Sequence, residues 1–226
     1  MADTKQAMSI PAAIIVAGLL IACAVYFSKA VPAPTPSTQQ AAPTPSLEFP
    51  DITSNDHIRG PENAKVTILE YSDLECPHCK VFHQSMLQLL KDYPNDVRWV
   101  YRHAPIAQLH SQAPDEANAA ECAAKQGKFW EFADTIFANT PSNDGLNLAD
   151  LPKYAQESGV ADIEAFKTCV AAGEFDSKVQ AELEDGVAGG LLGTPFNMII
   201  TQDRKKTQLG GGVPYGQLKA AIEPLL

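Results

Sequence analysis

Residues 65–79 read KVTILEYSDLECPHC, and their pattern decides the architecture. Lys65 to Tyr71 is a β-rich, mostly apolar run of the kind that forms a buried strand. Cys76-Pro77-His78-Cys79 follows at once, with a proline at the position where a helix tolerates a missing N–H. Downstream, Phe82, Met86, Leu89 and Leu90 fall at i, i+4, i+7 and i+8, one apolar stripe of a helix over 77–92. Asp96 to Arg102 (DVRWVYR) alternates as a second strand. Strand, helix and strand in that order predict a βαβ unit with parallel pairing and a right-handed crossover.

Beyond this unit, from Ser111 to about Leu191, the chain is Ala-rich and helical in pattern. It is punctuated at Gly127, in 139–147, at Gly159 and at Gly173 into four or five helices. Phe129, Trp130, Phe132 and Phe137 read as its core. Phe196 to Thr201 (FNMIIT) and Arg204 to Leu209 then read as strands, Gly210-Gly211-Gly212 as a break, and Tyr215 to Leu226 as a last helix. The expected class is α/β: βαβ, an inserted all-helical subdomain, then ββα. Residues 49–226 suffice for one domain with a substantial core.

Toward the N-terminus the character changes. Ile10 to Phe27 (IPAAIIVAGLLIACAVYF) is 18 residues without a charge, long enough to span a bilayer. The expected organisation is a cytoplasmic 1–9, a single-pass anchor over 10–28, a Pro/Ala/Ser/Thr-rich spacer over 29–48, and a folded domain outside the cytoplasm. Two alternatives stand beside the anchor. One is a cleaved signal peptide, although no clean A-x-A site ends the run. The other is a lipoprotein signal, because Leu20-Ile21-Ala22-Cys23 has the form of a lipobox. The net charge of −10 and the lack of a basic stripe disfavour nucleic acid as a partner.

The C-x-x-C lies where a strand hands over to a helix. Free N–H groups and the helix dipole there stabilise an anion, and the thiolate is the nucleophile of disulfide exchange. Cys76 is expected to attack and Cys79 to resolve. His78 can add a donor or a charge that favours the thiolate, which would make the disulfide oxidising. Asp73 and Glu75 are read as exposed charges that oppose the thiolate. The competing reading is a zinc half-site, since Cys76, Cys79 and His83 form C-x2-C-x3-H. No second half-site follows it.

LEYSDLECPHCKVF, RWVYRHAPI, His110, ANAAECAAKQGKFWEF and GTPFNMII together resemble the DsbA-like branch of the thioredoxin superfamily, over essentially all of residues 60–226. The resemblance implies a thioredoxin fold and a disulfide oxidoreductase whose redox group is its own Cys76–Cys79 pair, with no cofactor and no metal. It implies that Thr194–Pro195 is a cis peptide facing the cysteines, leaving the Thr194 backbone to pair with substrate; a plain strand-start proline is the alternative. It places Glu70 beneath the redox pair as a proton relay, against the alternative of a solvent-facing strand end. It also includes members with a disulfide at positions such as Cys122 and Cys169, which otherwise read as two buried free thiols. The implied partners are reduced client polypeptides and a membrane quinone-linked thiol oxidase. Rival functions are a reductase or isomerase of the same fold, and a tethered, non-catalytic metal-binding adaptor. His57, His103 and His110 carry no assignment from sequence.

Overall fold

The computed structural model describes residues 49–226. The anchor, the spacer and Cys23 lie outside the described residues, and among the described ones no helix is long and apolar enough to cross a membrane.

Five strands form one sheet, β1 (His57–Arg59), β2 (Val66–Ser72), β3 (Val97–His103), β4 (Phe196–Thr201) and β5 (Lys206–Leu209), in the order β1-β3-β2-β4-β5. Only β2 and β3 pair in parallel; β1–β3, β2–β4 and β4–β5 are antiparallel. The sheet is thus mixed, with the βαβ unit at its centre. Helix α1 (Pro77–Asp92) makes the crossover. Five helices separate β3 from β4: α2 (Ala113–Ala124), α3 (Phe129–Asn139), α4 (Leu151–Glu157), α5 (Ile163–Ala171) and α6 (Asp176–Ala188). Helix α7 (Tyr215–Ile222) closes the fold and packs on α1. The edge strand β1 is absent from the sequence reading because its three residues, His-Ile-Arg, carry no alternation. Arg204, expected in β5, instead turns the chain with φ of 64°.

Period-2 alternation assigns each strand residue to a face. Val66, Ile68, Val97, Trp99 and Tyr101 join Phe82, Met86 and Leu89 of α1, Leu218 and Ile222 of α7, and the α2–α5 side chains in the main core. Leu69, Tyr71, Val100, Phe196 and Met198 form a second cluster with Phe49 and Leu191, against which Leu183 of α6 packs. Burial of each α1 anchor contributes roughly 1.5–3 kcal/mol, so the apolar stripe fixes how the helix sits. Its N-terminus is thereby held at the end of β2.

Cys122 of α2 and Cys169 of α5 are joined by a disulfide within the helical block.

Candidate functional site

Cys76 is the N-cap of α1, with extended backbone (φ −77°, ψ 123°) and Pro77 behind it as the first helical residue. Its N–H donates to Asp73 O, closing the turn after β2. This places its sulfur beside the free N–H groups of the first helical turn. The His78 and Cys79 N–H groups, the Thr194 side chain and, above all, a hydrogen bond from the Cys79 thiol favour its anion. Burial opposes them, yet the Cys76 pKa is lowered from 9.0 to about 6. Cys79, one turn deeper and fully buried, moves the other way: burial first, then the neighbouring Cys76, raise its pKa well above 9.0. Both cysteines are free thiols here, and Cys79 Sγ accepts a 3.4 Å hydrogen bond from the Asp73 N–H. The two sulfurs are therefore unequal, one poised as nucleophile and one held protonated.

Thr194–Pro195 is a cis peptide, and Cys76 Sγ donates to the Thr194 carbonyl at 3.3 Å. Beside it lies a cavity of about 250 Å³ lined by Leu192, Thr194, Pro195, Phe196, Leu209 and Gly211. Leu192 stands fully exposed at its rim. The 210–214 loop closes against the active-site helix. A Cβ at Gly212 would meet the His78 carbonyl oxygen at 2.5 Å, and Ser85 Oγ bonds the Val213 carbonyl. Only glycine permits that approach.

Glu70 faces the main core with Ile68 and is wholly buried, so the solvent-facing alternative fails. Trp99 Nε1 donates to its Oε2 at 2.9 Å. Burial pushes its pKa from 4.5 to about 8, and the nearby Cys76 charge acts in the same direction. Its charge in turn raises the Cys79 pKa.

Two sequence readings need correction. Asp73 and Glu75 are not exposed; they are 1% and 0% accessible. Asp73 is buried because its carboxylate ties the site together. Oδ1 accepts from the Glu75 N–H, and Oδ2 accepts from the Ile106 N–H and from His110 Nδ1, each at 2.9 Å. Glu75 is buried against Thr140, which donates to its Oε1 at 3.1 Å, and near the buried Glu116 of α2. His78 is exposed, and its backbone N–H is among the groups that favour the Cys76 anion.

No local pattern marks Glu116, and the resemblance takes in His110 without giving it a role. Glu116 sits in an Ala-rich helix and His110 in a loop, and only the fold brings either to the cysteines. Burial and then Glu75 raise the Glu116 pKa to about 10.

His83 does not gather with Cys76 and Cys79. Its Nε2 is 2.8 Å from Asp134, which also pairs with Arg59. The cluster that does bring metal-type ligands together is elsewhere: His57, His103 and Glu121. Both imidazole Nε2 atoms point at Glu121 Oε1, at 2.6 and 3.1 Å. The Lys178 ammonium also donates to that oxygen, so a cation already sits among these groups. The cluster ties β1, β3, α2 and α6 together.

A family model described as thioredoxin matches residues 53–223. Among curated proteins, the Na(+)/H(+) antiporter NhaA 3 of Salinispora tropica is 37% identical over 149 residues, 66% of this chain and 22% of that protein. The NhaA antiporter of Herminiimonas arsenicoxydans is 37% identical over 149 residues, 66% of this chain and 23% of that protein. The chain thus spans less than a quarter of the length of either. Among solved structures, DsbA2 of Pseudomonas aeruginosa superposes with a TM-score of 0.65 at 30% identity, covering 78% of this chain and 97% of that one. BdbD of Bacillus subtilis gives a TM-score of 0.65 at 22% identity, covering 75% and 92%. Alpha-DsbA1 of Wolbachia pipientis gives 0.65 at 22% identity, covering 77% and 92%. At 22% identity the last two speak for the fold alone. On a family match that takes in most of its length, and on the fold it shares with these proteins, the chain belongs to the thioredoxin superfamily as a DsbA-like domain.

Proposed function

We propose that this protein is an extracytoplasmic, membrane-tethered thiol:disulfide oxidoreductase that introduces disulfides into secreted or envelope proteins. One observation carries the reading: Cys76 is favoured as a thiolate at the N-terminus of α1 while Cys79, behind it, is held as a thiol. A thiolate that is stable at neutral pH stabilises the reduced form and makes the corresponding disulfide an oxidant.

In the proposed cycle a client thiolate attacks Cys76 Sγ of the Cys76–Cys79 disulfide, and Cys79 leaves. A second client thiolate then attacks the client sulfur of the mixed disulfide, and Cys76 leaves as the thiolate. Two electrons pass from client to enzyme, and the client gains its disulfide. Cys79 leaves into an apolar site where burial disfavours its anion, so it must take a proton at once. Glu70, buried nearby and protonated up to a pH of about 8, delivers that proton in this reading. Thr194 and Pro195 border the cavity beside Cys76, where an extended client segment would pair with the Thr194 backbone.

The dithiol left behind must be reoxidised, and a membrane quinone-linked thiol oxidase is the partner the tethered arrangement suits. The apolar run over 10–28 and the spacer over 29–48 support the single-pass location. The redox group is the cysteine pair itself, and the proposed cycle calls for no cofactor.

The opposite electron flow, a reductase, is favoured by one observation: Glu70, Asp73, Glu75 and Glu116 all lie buried near the cysteines, and any of them that is ionised disfavours the thiolate. A reduced test protein separates the two. The disulfide form of the full chain should oxidise it stoichiometrically, and Cys76→Ser should not. A dithiol form that reduces a disulfide substrate, paired with a disulfide form that oxidises nothing, would decide for the reductase.

A further inference from the structure

An imidazole from a distant part of the chain is tied to the redox turn through Asp73. His110 ends the turn that follows β3. Its N–H bonds the Ile106 carbonyl, and its own carbonyl accepts from the Ala113 N–H at the start of α2. The ring is fixed by Asp73, whose Oδ2 takes the Nδ1 proton at 2.9 Å. Asp73 cannot shift to release it, because the Ile106 and Glu75 N–H groups hold the same carboxylate. Through its backbone N–H Asp73 also bonds Cys79 Sγ, and through its carbonyl it accepts from the Cys76 N–H. One residue thus connects the redox turn to the His110 ring. His110 is 6% accessible, and its Nε2 is not among the buried atoms without a partner, so it keeps a route for proton exchange.

Three ionisable groups act on this ring: Asp73 from the β2–α1 turn, Cys76 from the head of α1, and Asp144 from the loop before α4. Asp144 is itself bonded by the Ser111 and Gln112 N–H groups. Burial opposes a charged ring, but all three neighbours favour it. Glu75 and Glu116 are also buried near Asp73. The His78 ring, by contrast, is exposed.

We infer that His110, aimed by Asp73, is the cation paired with the Cys76 thiolate, and that it takes up one of the two protons a client dithiol releases. The inference deepens the proposed function and rests on it for the direction of electron flow. The balance is simple. A client dithiol gives up two electrons and two protons. One proton ends on Cys79, replaced through Glu70, and the other ends on His110 because Cys76 remains an anion. His110 is a positioning residue, since the sulfur chemistry passes through Cys76 and Cys79 alone.

Coulombic coupling between two groups is reciprocal. If the Cys76 anion holds a proton on His110, converting Cys76 to a disulfide must release it. The test is made on the full chain. The His110 ring is titrated by NMR in the disulfide and dithiol forms, and the Cys76 thiolate is titrated by ultraviolet absorbance in the native protein, His110→Gln and His78→Gln. His110 should titrate at a lower pH in the disulfide form. His110→Gln should weaken the Cys76 acid constant by about tenfold, the low end for loss of a facing opposite charge, and His78→Gln should weaken it less. Equal His110 titration in both redox forms overturns the inference, as does an unchanged Cys76 titration in His110→Gln. Should His110→Gln not fold, the redox-form comparison on the native protein decides alone. A redox-linked His110 in a protein that oxidises no client would overturn the oxidase reading while leaving the ion pair in place.

Discussion

The indole Nε1 of Trp99 donates a 2.9 Å hydrogen bond to Glu70 Oε2, and Glu70 Oε1 has no partner among the described residues although it is fully buried. A carboxyl held by one donor in an apolar core keeps its proton. The indole takes one oxygen and leaves the other free, in a site near enough to the redox pair for the charges to couple. Cys79 and Glu70 therefore form a thiol over an acid, both neutral at physiological pH.

That arrangement makes stability depend on pH with a definite sign. Glu70 titrates near 4.5 in the unfolded chain and at about 8 in the folded one. Between these values the folded state binds a proton that the unfolded state has released. Stability from this group is therefore complete below about pH 4.5 and is lost as pH rises toward 8. Glu70→Gln keeps the acceptor for Trp99 and cannot ionise. Its stability relative to the native protein should rise by about 1 kcal/mol per pH unit across that window, read from urea unfolding at four pH values. Parallel pH profiles for the two proteins would mean that Glu70 is ionised in the fold.

The asymmetry of the two sulfurs should appear in their reactivity. Alkylation of the dithiol form should fall on Cys76, with a rate that climbs to a plateau just above pH 6. Cys79 should stay unmodified under the same conditions. Cys79→Ala should accumulate mixed disulfides with clients at Cys76, because the resolving thiol is gone. Glu70→Gln should slow turnover by roughly 100-fold, the low end for loss of a positioned proton donor. Faster alkylation at Cys79 reverses the assignment.

The parts of the fold legible in sequence are those written in local pattern. The 77–92 stripe of Phe82, Met86 and Leu89 is a helix with those bounds. The βαβ unit and the late FNMIIT strand follow from period and composition alone. What sequence hid is charge whose burial depends on distant partners. Asp73 and Glu75 look like solvated loop residues until Ile106, His110, Thr140 and Glu116 arrive from elsewhere in the chain. His110 lies 34 positions after Cys76, and no spacing rule connects them. The Cys76-x-x-Cys79 pair itself is plain in the sequence, whereas only the fold ties the His110 ring to Asp73 in the redox turn.

Removing the Cys122–Cys169 disulfide should lower stability without touching the redox chemistry. It closes a separation of 47 residues within the helical block. The chain-entropy model gives about 4 kcal/mol for a loop of that size. The double variant Cys122→Ala, Cys169→Ala should melt lower, and its Cys76 titration should match that of the native protein. A changed Cys76 titration would show that the helical block is coupled to the site.

Neutralising Glu75 removes a buried negative charge one residue from the nucleophile. Glu75→Gln should strengthen the Cys76 acid and shift the reduction potential upward, about 30 mV for each 1.4 kcal/mol gained by the reduced form. Because the carboxylate is buried, the shift should be nearly the same at 0.1 M and 1 M salt, measured in otherwise identical redox buffers. A shift that vanishes in high salt would return Glu75 to the surface.

The central claim is that Cys76–Cys79 is an oxidising disulfide. Its most direct test is the reduction potential of the full chain, equilibrated against glutathione and read by trapping the dithiol fraction. The expected value lies at or above about −180 mV, in the range of proteins that donate disulfides. A value at or below about −270 mV, where thioredoxin lies, would contradict it and make the protein a reductase.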